Sequence, residues 1–465
     1  MGVVTLTIKR IALIEKAGKE RFNIYTLTRM PRGITLLAAI MKNLGYEVSC
    51  YVESIKKIKW QDLMNYDLIG FSIISCTAKP TYEMIEKLRA KGYEGEIVVG
   101  GPHATTMPEE SLSAGAKVVV RHEGDKTFPE LVAAINDKTR FYDIDGITWI
   151  EDDITWTNPD RPFLTEAELS KLPFPLLESI VGLDRMNLMP LTFSRGCPYG
   201  CEFCGVEGMY GKKYRAASLD WRIQQLTTLK HEYPGLWQTC PTFLTDDNLN
   251  GTPRTKKITI AMLGAMVREN LVPPKGFICQ MKVTDITPEL AKLLKDTNCL
   301  FVCLGIESVD DENLELMDKQ QTAREIQNAL SILKEYGVAA LAMTIVGTDV
   351  DTFWSFWRSI RLLQKWGITY LQVLALVPLT GTKMTRRLEE EGRQFDHNYN
   401  KHNGMHPVIK AKRISKFGIW AAVYLIGFVW FYVPMLFRKD FKFRRLIWIG
   451  FVQLLKQLWR NAISS

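Results

Sequence analysis

A chain of 465 residues that is 46% hydrophobic and 24% charged has enough apolar sequence for two or three folded domains, which excludes a disordered or low-complexity protein. Its net charge of +8 sits in one block: Val408 to Ser465 holds eleven Lys or Arg against the single acid Asp440, so the remainder sums to about −2. A nucleic-acid binder would carry its basic stripe on the folded body, so nucleic acid is not an expected partner.

The N-terminus, "MGVVTLTIKRIALIEKAGKE", has neither a long apolar h-region nor a small-residue cleavage site, and a cytoplasmic protein is expected. Over the first 140 residues, apolar strand patterns ("TLTIKRIALI", "EVSCYV", "DLIGFSII", "EIVVGG", "KVVV") alternate with helix patterns such as "KPTYEMIEKLRAKGY". Near-continuous apolar strands spaced by helices predict a parallel sheet covered on both faces. Ligands of such sheets bind beyond the carboxyl ends of the strands. Three loops fall there: "SIISCT" (72–77), "GGPHAT" (100–105) and "HEGD" (122–125). They offer close backbone approach and neutral hydroxyls, although turn chemistry alone accounts for each one taken singly. Residues 141–185 read as a linker, with a strand-like "GITWIEDDITW" and a Pro-rich "KLPFPLL".

A second series follows: "LMPLTFS", "TFLTDD", "GFICQMKV", "FVCLGIES", "ALAMTIVG" and "LQVLALVP", separated by helix patterns such as "TAREIQNALSILKEYG". Six β/α units predict a partial barrel with its site at the carboxyl ends of the strands. Directly after the first of these strands comes "SRGCPYGCEFCGVEG", with Cys197, Cys201 and Cys204 in a C-x3-C-x2-C arrangement. Thiolates bind soft metals, and iron–sulfur clusters ordinarily take four of them. Three ligands leave one metal position open to a small molecule, the logic that catalytic zinc sites also follow. Gly196, Gly200 and Gly205 are expected to let the loop wrap a compact cluster. The competing reading is a zinc knot completed by a distant Cys240 or His231. Cys50, Cys76, Cys240, Cys279, Cys299 and Cys303 lie in or beside apolar elements and read as buried structural thiols.

The C-terminal stretch "FGIWAAVYLIGFVWFYVPMLF" (417–437) is 21 residues without a charge, long enough to span a bilayer. Bases flank it on both sides and Pro434 disfavours a regular helix, which suits an interfacial helical pair over 417–460 better than a span. A soluble helix packed on the barrel is the alternative.

"RGCPYGCEFC" closely resembles the cluster loop of the radical S-adenosylmethionine (SAM) superfamily, and the region before it resembles the cobalamin-binding domain of that superfamily's B12-dependent branch, which contains methyltransferases and the anaerobic oxidative cyclase. "VVGGPHATTMPEE", "EGDKTFPELV", "GKKYRAAS", "TDDNL", "GIES" and "PLTGT" match further landmarks in the expected order, over residues 1 to about 410. The resemblance implies a doubly wound, Rossmann-like α/β cobalamin-binding domain (1–140), the linker (141–185), a partial (β/α)6 radical SAM barrel (186–390) and a helical C-terminal region (391–465).

It further implies that Cys197, Cys201 and Cys204 hold a [4Fe–4S] cluster whose open iron takes the amino and carboxylate groups of SAM. Phe203 would pack near the adenine, Asp246, Asp247 and Asn248 would face the SAM amino group, Glu307 would take the ribose hydroxyls, and Gly347 would lie beside the adenine. Cobalamin contacts would come from Ser72, Ser75, Thr77, Gly100, Gly101, His103, Glu123 and Gly124. The D-x-H-x-x-G signature of many B12 proteins is missing, so cobalamin bound without a lower histidine is expected, and His103 is not expected to ligate cobalt. The implied activity is anaerobic: the reduced cluster cleaves SAM to a 5′-deoxyadenosyl radical, the radical takes hydrogen from an unactivated carbon, and methylcobalamin, regenerated by a second SAM, supplies a methyl group. Cyclisation or rearrangement without methyl transfer is the alternative within the branch. A non-catalytic metal- or corrinoid-binding protein, which would lack the barrel, is the alternative outside it. A flavodoxin or ferredoxin would deliver electrons. The substrate is left open among a lipid, a natural product and a peptide or protein side chain, with a membrane surface as a candidate partner on the inner face of the cell membrane.

Overall fold

Strand β1 (Arg10–Glu15) is buried at all but its first residue, as a central strand must be, and pairs in parallel with β2 (Glu47–Val52) on one side and β3 (Leu68–Ser72) on the other. With β4 (Glu96–Gly100) and β5 (Val118–Val120) the parallel order is β2-β1-β3-β4-β5, the doubly wound arrangement whose crevice opens where the strand order reverses. This computed structural model describes residues 7–18, 28–393 and 396–436.

The first sheet does not stop at residue 140. Strands β6 (Ile147–Glu151) and β7 (Ile154–Thr157) form a hairpin that adds antiparallel to β5, so part of the expected linker belongs to this sheet. Its two-residue turn places Asp152 at φ 50° and Asp153 at φ 60°, the left-handed pair that a type I′ turn demands. Beyond the hairpin the connector returns to β2, where the Val181 N–H donates to the Cys50 carbonyl (2.9 Å). One apolar core runs from there into the second half of the chain.

The second sheet contains all six expected strands. These are β8 (Met189–Leu191), β11 (Thr242–Leu244), β12 (Phe277–Met281), β13 (Cys299–Glu307), β14 (Ala340–Val346) and β15 (Tyr370–Ala375), parallel and in sequence order. A short antiparallel ribbon, β9 (Ser194–Arg195) with β10 (Arg215–Ala216), brackets the cysteine loop. With the helices between its strands, this is the partial barrel.

The apolar C-terminal segment is a helix along β15: an α turn (Lys416–Ala421), a π-helical stretch (Ala422–Trp430) and a closing α turn (Phe431–Leu436). It runs antiparallel to β15. Ile419 meets Gly347 at the carboxyl end of the strands, Gly427 lies on Val373, and Tyr432 reaches Leu371 near the start of β15. The Tyr432 hydroxyl accepts from the Leu371 N–H (2.8 Å) and donates to its carbonyl (2.6 Å), satisfying two backbone groups of an edge strand. The expected partner of this helix, up to residue 460, lies outside the described residues.

Candidate active site

The cysteine loop leaves β9 through Gly196, whose φ of 83° brings it so close to the Lys213 carbonyl that a Cβ would lie 2.8 Å away. Gly200 and Gly205 adopt ordinary φ values, so the expectation of special glycine geometry holds at Gly196 alone. The Cys204 N–H donates to the Cys201 carbonyl (3.1 Å), a turn that holds these two residues together. The Glu202 backbone tethers the loop to Met317 and to Met384 (3.2 Å each).

All nine cysteines are free, and Cys197, Cys201 and Cys204 are among the four that are only partly buried. Burial raises the thiol pKa of each of the three, that of Cys204 to about 12, with Asp247 and the other two sulfurs pushing Cys204 the same way. Near Cys201 the buried amines of Lys319 and Lys282 oppose the rise. Such a donor set keeps its protons until a cation displaces them, which fits a metal cluster and not a reactive thiol. Lys282 stands 3.8 Å from the centre of the Tyr199 ring and donates to the Gln320 carbonyl (2.6 Å). Lys319 donates to the Glu307 carboxylate (2.8 Å) and faces the Phe203 ring at 5.8 Å. Neither lysine was singled out from the sequence.

Glu307 sits at φ 61° on a bulge of β13, a backbone region costly for a residue with a side chain. The bulge aims its carboxylate at Lys319 beside the cysteine loop. Asp246 and Asp247 end β11 but point apart. Asp246 is fully buried, accepts from the Phe193 N–H (3.1 Å) and the Ser194 hydroxyl, and braces the chain between β8 and β9. Asp247 is exposed to a cavity, where the surrounding protein, with Asp246 adding, pushes its carboxyl up to about 7. The Asn248 side-chain amide is buried, its oxygen accepting from the Asn250 N–H (3.2 Å) and its nitrogen facing the Asp285 carboxylate. Phe203 packs with Leu376, Met384 and Ile409, and Gly347, at φ 109°, donates its N–H to Asp351 (2.9 Å).

That cavity, about 420 Å³, lies between the two sheets. One wall is the carboxyl edge of the first sheet, where Ser72, Gly100, Gly101, Glu123 and Gly124 all appear; the facing wall is Phe193, Arg195, Met209, Tyr210 and Trp221, with Asp247 at the junction. Gly101, at φ 96°, lies against the Ile73 backbone, where a Cβ would approach to 2.7 Å. With Gly100 and Gly124 it leaves a wall of bare backbone that fits the flat face of a macrocycle. Ser75, Thr77 and His103 stand behind this wall. Thr77 caps the backbone of Ile74 (3.0 and 3.1 Å), and His103 is held by Ser75 through Nδ1 (3.3 Å) and by Glu110 through Nε2 (3.1 Å). His122, on the wall itself, is likewise engaged at both nitrogens, by the Met209 carbonyl (3.2 Å) and Asp160 (3.4 Å). Neither ring nitrogen of either histidine is free for cobalt.

Glu123 reaches past the cavity. Its carboxylate accepts from Arg215 (2.8 Å) and the Leu164 N–H (2.8 Å), while Asp125 takes both arms of Arg195 (2.7 and 2.9 Å). Burial would raise the Asp125 carboxyl, but the Arg195 guanidinium outweighs it and holds it below the usual range. "SRGC" and "EGD" were the available signals for this pairing.

The family models agree with this division: the B12 binding domain matches residues 27–132 and the radical SAM superfamily residues 191–363. An uncharacterized methyltransferase from Pyrococcus horikoshii is 26% identical over 402 residues, spanning 83% of this chain and 84% of that one. The bacteriochlorophyllide d C-12(1)-methyltransferase of Chlorobaculum tepidum is 23% identical, spanning 83% and 79%. The radical SAM methyltransferase TsrM from Kitasatospora setae, solved with cobalamin and a [4Fe–4S] cluster bound, shares the fold with a TM-score of 0.66 at 16% identity, over 83% of this chain and 75% of that one. The chain combines a B12 binding domain with a radical SAM domain, and is an enzyme that uses SAM, a [4Fe–4S] cluster and cobalamin.

Proposed function

We propose that this enzyme methylates an unactivated carbon, with cobalamin seated in the cavity between the sheets and the cluster on Cys197, Cys201 and Cys204. The carrying observation is that one cavity joins both halves: Asp247, next to the cysteine loop, lines the same space as Gly100 and Gly124. When bound, the cluster and SAM supply a hydrogen-abstracting radical and the cobalamin a transferable methyl group.

The chain's own contribution is positioning and exclusion of water. The Asp247 carboxylate is suited to accept from the SAM amino group, whereas the Asn248 Nδ2, a donor, is not. The Lys319–Glu307 pair lies within reach of the same ligand, with Lys319 offsetting the negative charge of the thiolates. Phe203 and its apolar neighbours offer a slot for a flat ring. Asp246, Ser75, Thr77 and His103 support these contacts from behind. Electrons from a flavodoxin or ferredoxin suit a loop of partly exposed thiols. The apolar, basic C-terminal segment supports a lipid as substrate.

The test is anaerobic reconstitution with cobalamin, a reductant and SAM labelled in its methyl group. Wild type should form 5′-deoxyadenosine and S-adenosylhomocysteine, and Cys201→Ala should lose both the absorbance near about 400 nm and 5′-deoxyadenosine. A Cys201→Ala protein with full iron and sulfide that still cleaves SAM overturns the cluster assignment. Formation of 5′-deoxyadenosine without S-adenosylhomocysteine overturns methyl transfer.

A further inference from the structure

Among the described residues, the exposed large apolar side chains of the barrel half lie mostly on two adjacent helices, Trp354 and Leu362 on one and Phe417 and Leu425 on the other, with Val267 apart from them. Trp354 is 66% exposed and Phe417 72%, and both stand at the end of the barrel where the strands deliver the site. Trp354 begins the helix Phe353–Trp366, which starts just after the loop that closes β14. Phe417 begins the C-terminal helix, two residues before Ile419 packs on Gly347 of that same loop. The two helices touch. Behind each exposed ring lies another aromatic: Trp354 meets Trp357 at 6.0 Å and Trp357 meets Trp430 at 6.0 Å, while Phe417 stacks on Trp420 at 5.8 Å.

Charge on this rim is mainly basic, with Asp349 neutralised by Lys412 and Arg393. Arg358 is exposed near the start of the first helix and Arg413 and Lys416 stand at the start of the second, while Lys412 beside them is paired with Asp349 of the loop after β14 (3.2 Å). Residues 353–368 and 408–436 contain no acid. Arg361 lies over the Trp357 ring at 5.0 Å, so aromatic and cation share one surface. Projecting Trp and Phe side chains among bases are what the interface of a bilayer with anionic headgroups takes up: rings settle at headgroup depth while cations meet phosphates.

We propose that this rim docks the enzyme on an anionic bilayer with the barrel mouth turned to the membrane, so that a lipid substrate reaches the radical site without crossing water. The lipid half of the inference rests on the catalytic reading above; the docking half rests on the surface alone. Flotation of the full-length, reconstituted enzyme with vesicles tests it, using phosphatidylcholine alone and phosphatidylcholine with phosphatidylglycerol. Wild type should float with the anionic vesicles, and Trp354→Ser/Phe417→Ser should lower the bound fraction about tenfold while reductive SAM cleavage persists. Trp156→Ser, on the distant β7, should bind as wild type does. Salt should release wild type only in part, because the apolar contribution is not screened. The docking proposal is overturned by wild type that ignores anionic vesicles, by equal flotation with neutral ones, by a double variant that binds undiminished, or by equal loss in Trp156→Ser. Vesicle binding by a protein that cannot cleave SAM would instead remove the catalytic reading, and with it the lipid substrate, and leave the docking surface standing.

Discussion

At the scale of single residues, neighbours in sequence can have opposite tasks. Asp246 is locked onto the chain between β8 and β9, whereas Asp247 is exposed to the cavity, its carboxyl raised to about 7 by the protein around it and by Asp246. An acid whose folded pKa lies above its unfolded value near about 4 binds its proton more tightly when folded, so its ionisation lowers stability as pH rises from about 4 to 7. Asp247→Asn removes that penalty. The cofactor-free variant should therefore melt above wild type at pH 8, with the gap closing towards pH 5, while its SAM cleavage falls. Equal shifts at both pH values would mean that Asp247 is ionised in the fold throughout. The cysteine spacing was legible because the ligands lie within eight consecutive residues. The Lys319–Glu307 pair was not, since only the bulge at Gly305–Glu307 turns that carboxylate towards a residue twelve positions on.

At the scale of elements, the alternation of apolar strands with helices exposed both sheets, because parallel strands buried on both faces read as short apolar runs between turns. The β6–β7 hairpin escaped for a local reason: its I′ turn is built from Asp152 and Asp153 without a glycine, and the usual Asn-Gly or Asp-Gly signal is missing. The C-terminal helix shows why hydropathy alone is ambiguous. Its Lys416–Val433 stretch has a mean hydropathy of 1.6, yet 44% of that stretch is buried against the protein, so much of its apolar surface covers an edge strand. Gly427 makes this possible, since a Cβ there would come 2.7 Å from Val373. Gly427→Leu should push the helix off β15, costing about 1–3 kcal/mol of stability. Hydrogen exchange at the Leu371 amide, donated to Tyr432 in the native fold, should quicken at the same time. Unchanged exchange there would show that the helix tolerates displacement without releasing the strand.

At the scale of the whole molecule, the reaction space exists only while two sheets stay in register, and a buried charge network spans them. Arg195 and Arg215 come from the ribbon that flanks the cysteine loop; Glu123 caps, and Asp125 opens, the helix Gly124–Asp137 that follows β5 at the cavity wall. The glycines Gly100, Gly101 and Gly124 keep one wall flat, and the network fixes how far the other stands from it. Removing one member of a buried pair strands its partner, which costs about 3–5 kcal/mol, whereas replacing both with apolar groups of similar size is far milder. Arg195→Met should accordingly lower stability by about that amount in urea at pH 7, and Arg195→Met/Asp125→Leu should recover most of it. Because Asp125 is held below its unfolded pKa, the cost of Arg195→Met should shrink as pH falls below about 4, where the carboxylate takes up a proton. Both variants should retain cobalamin less well than wild type, since neither reproduces the charged bridge at the cavity wall. A single variant that loses under about 1 kcal/mol and keeps its cobalamin would show that the apolar core alone holds the sheets in register.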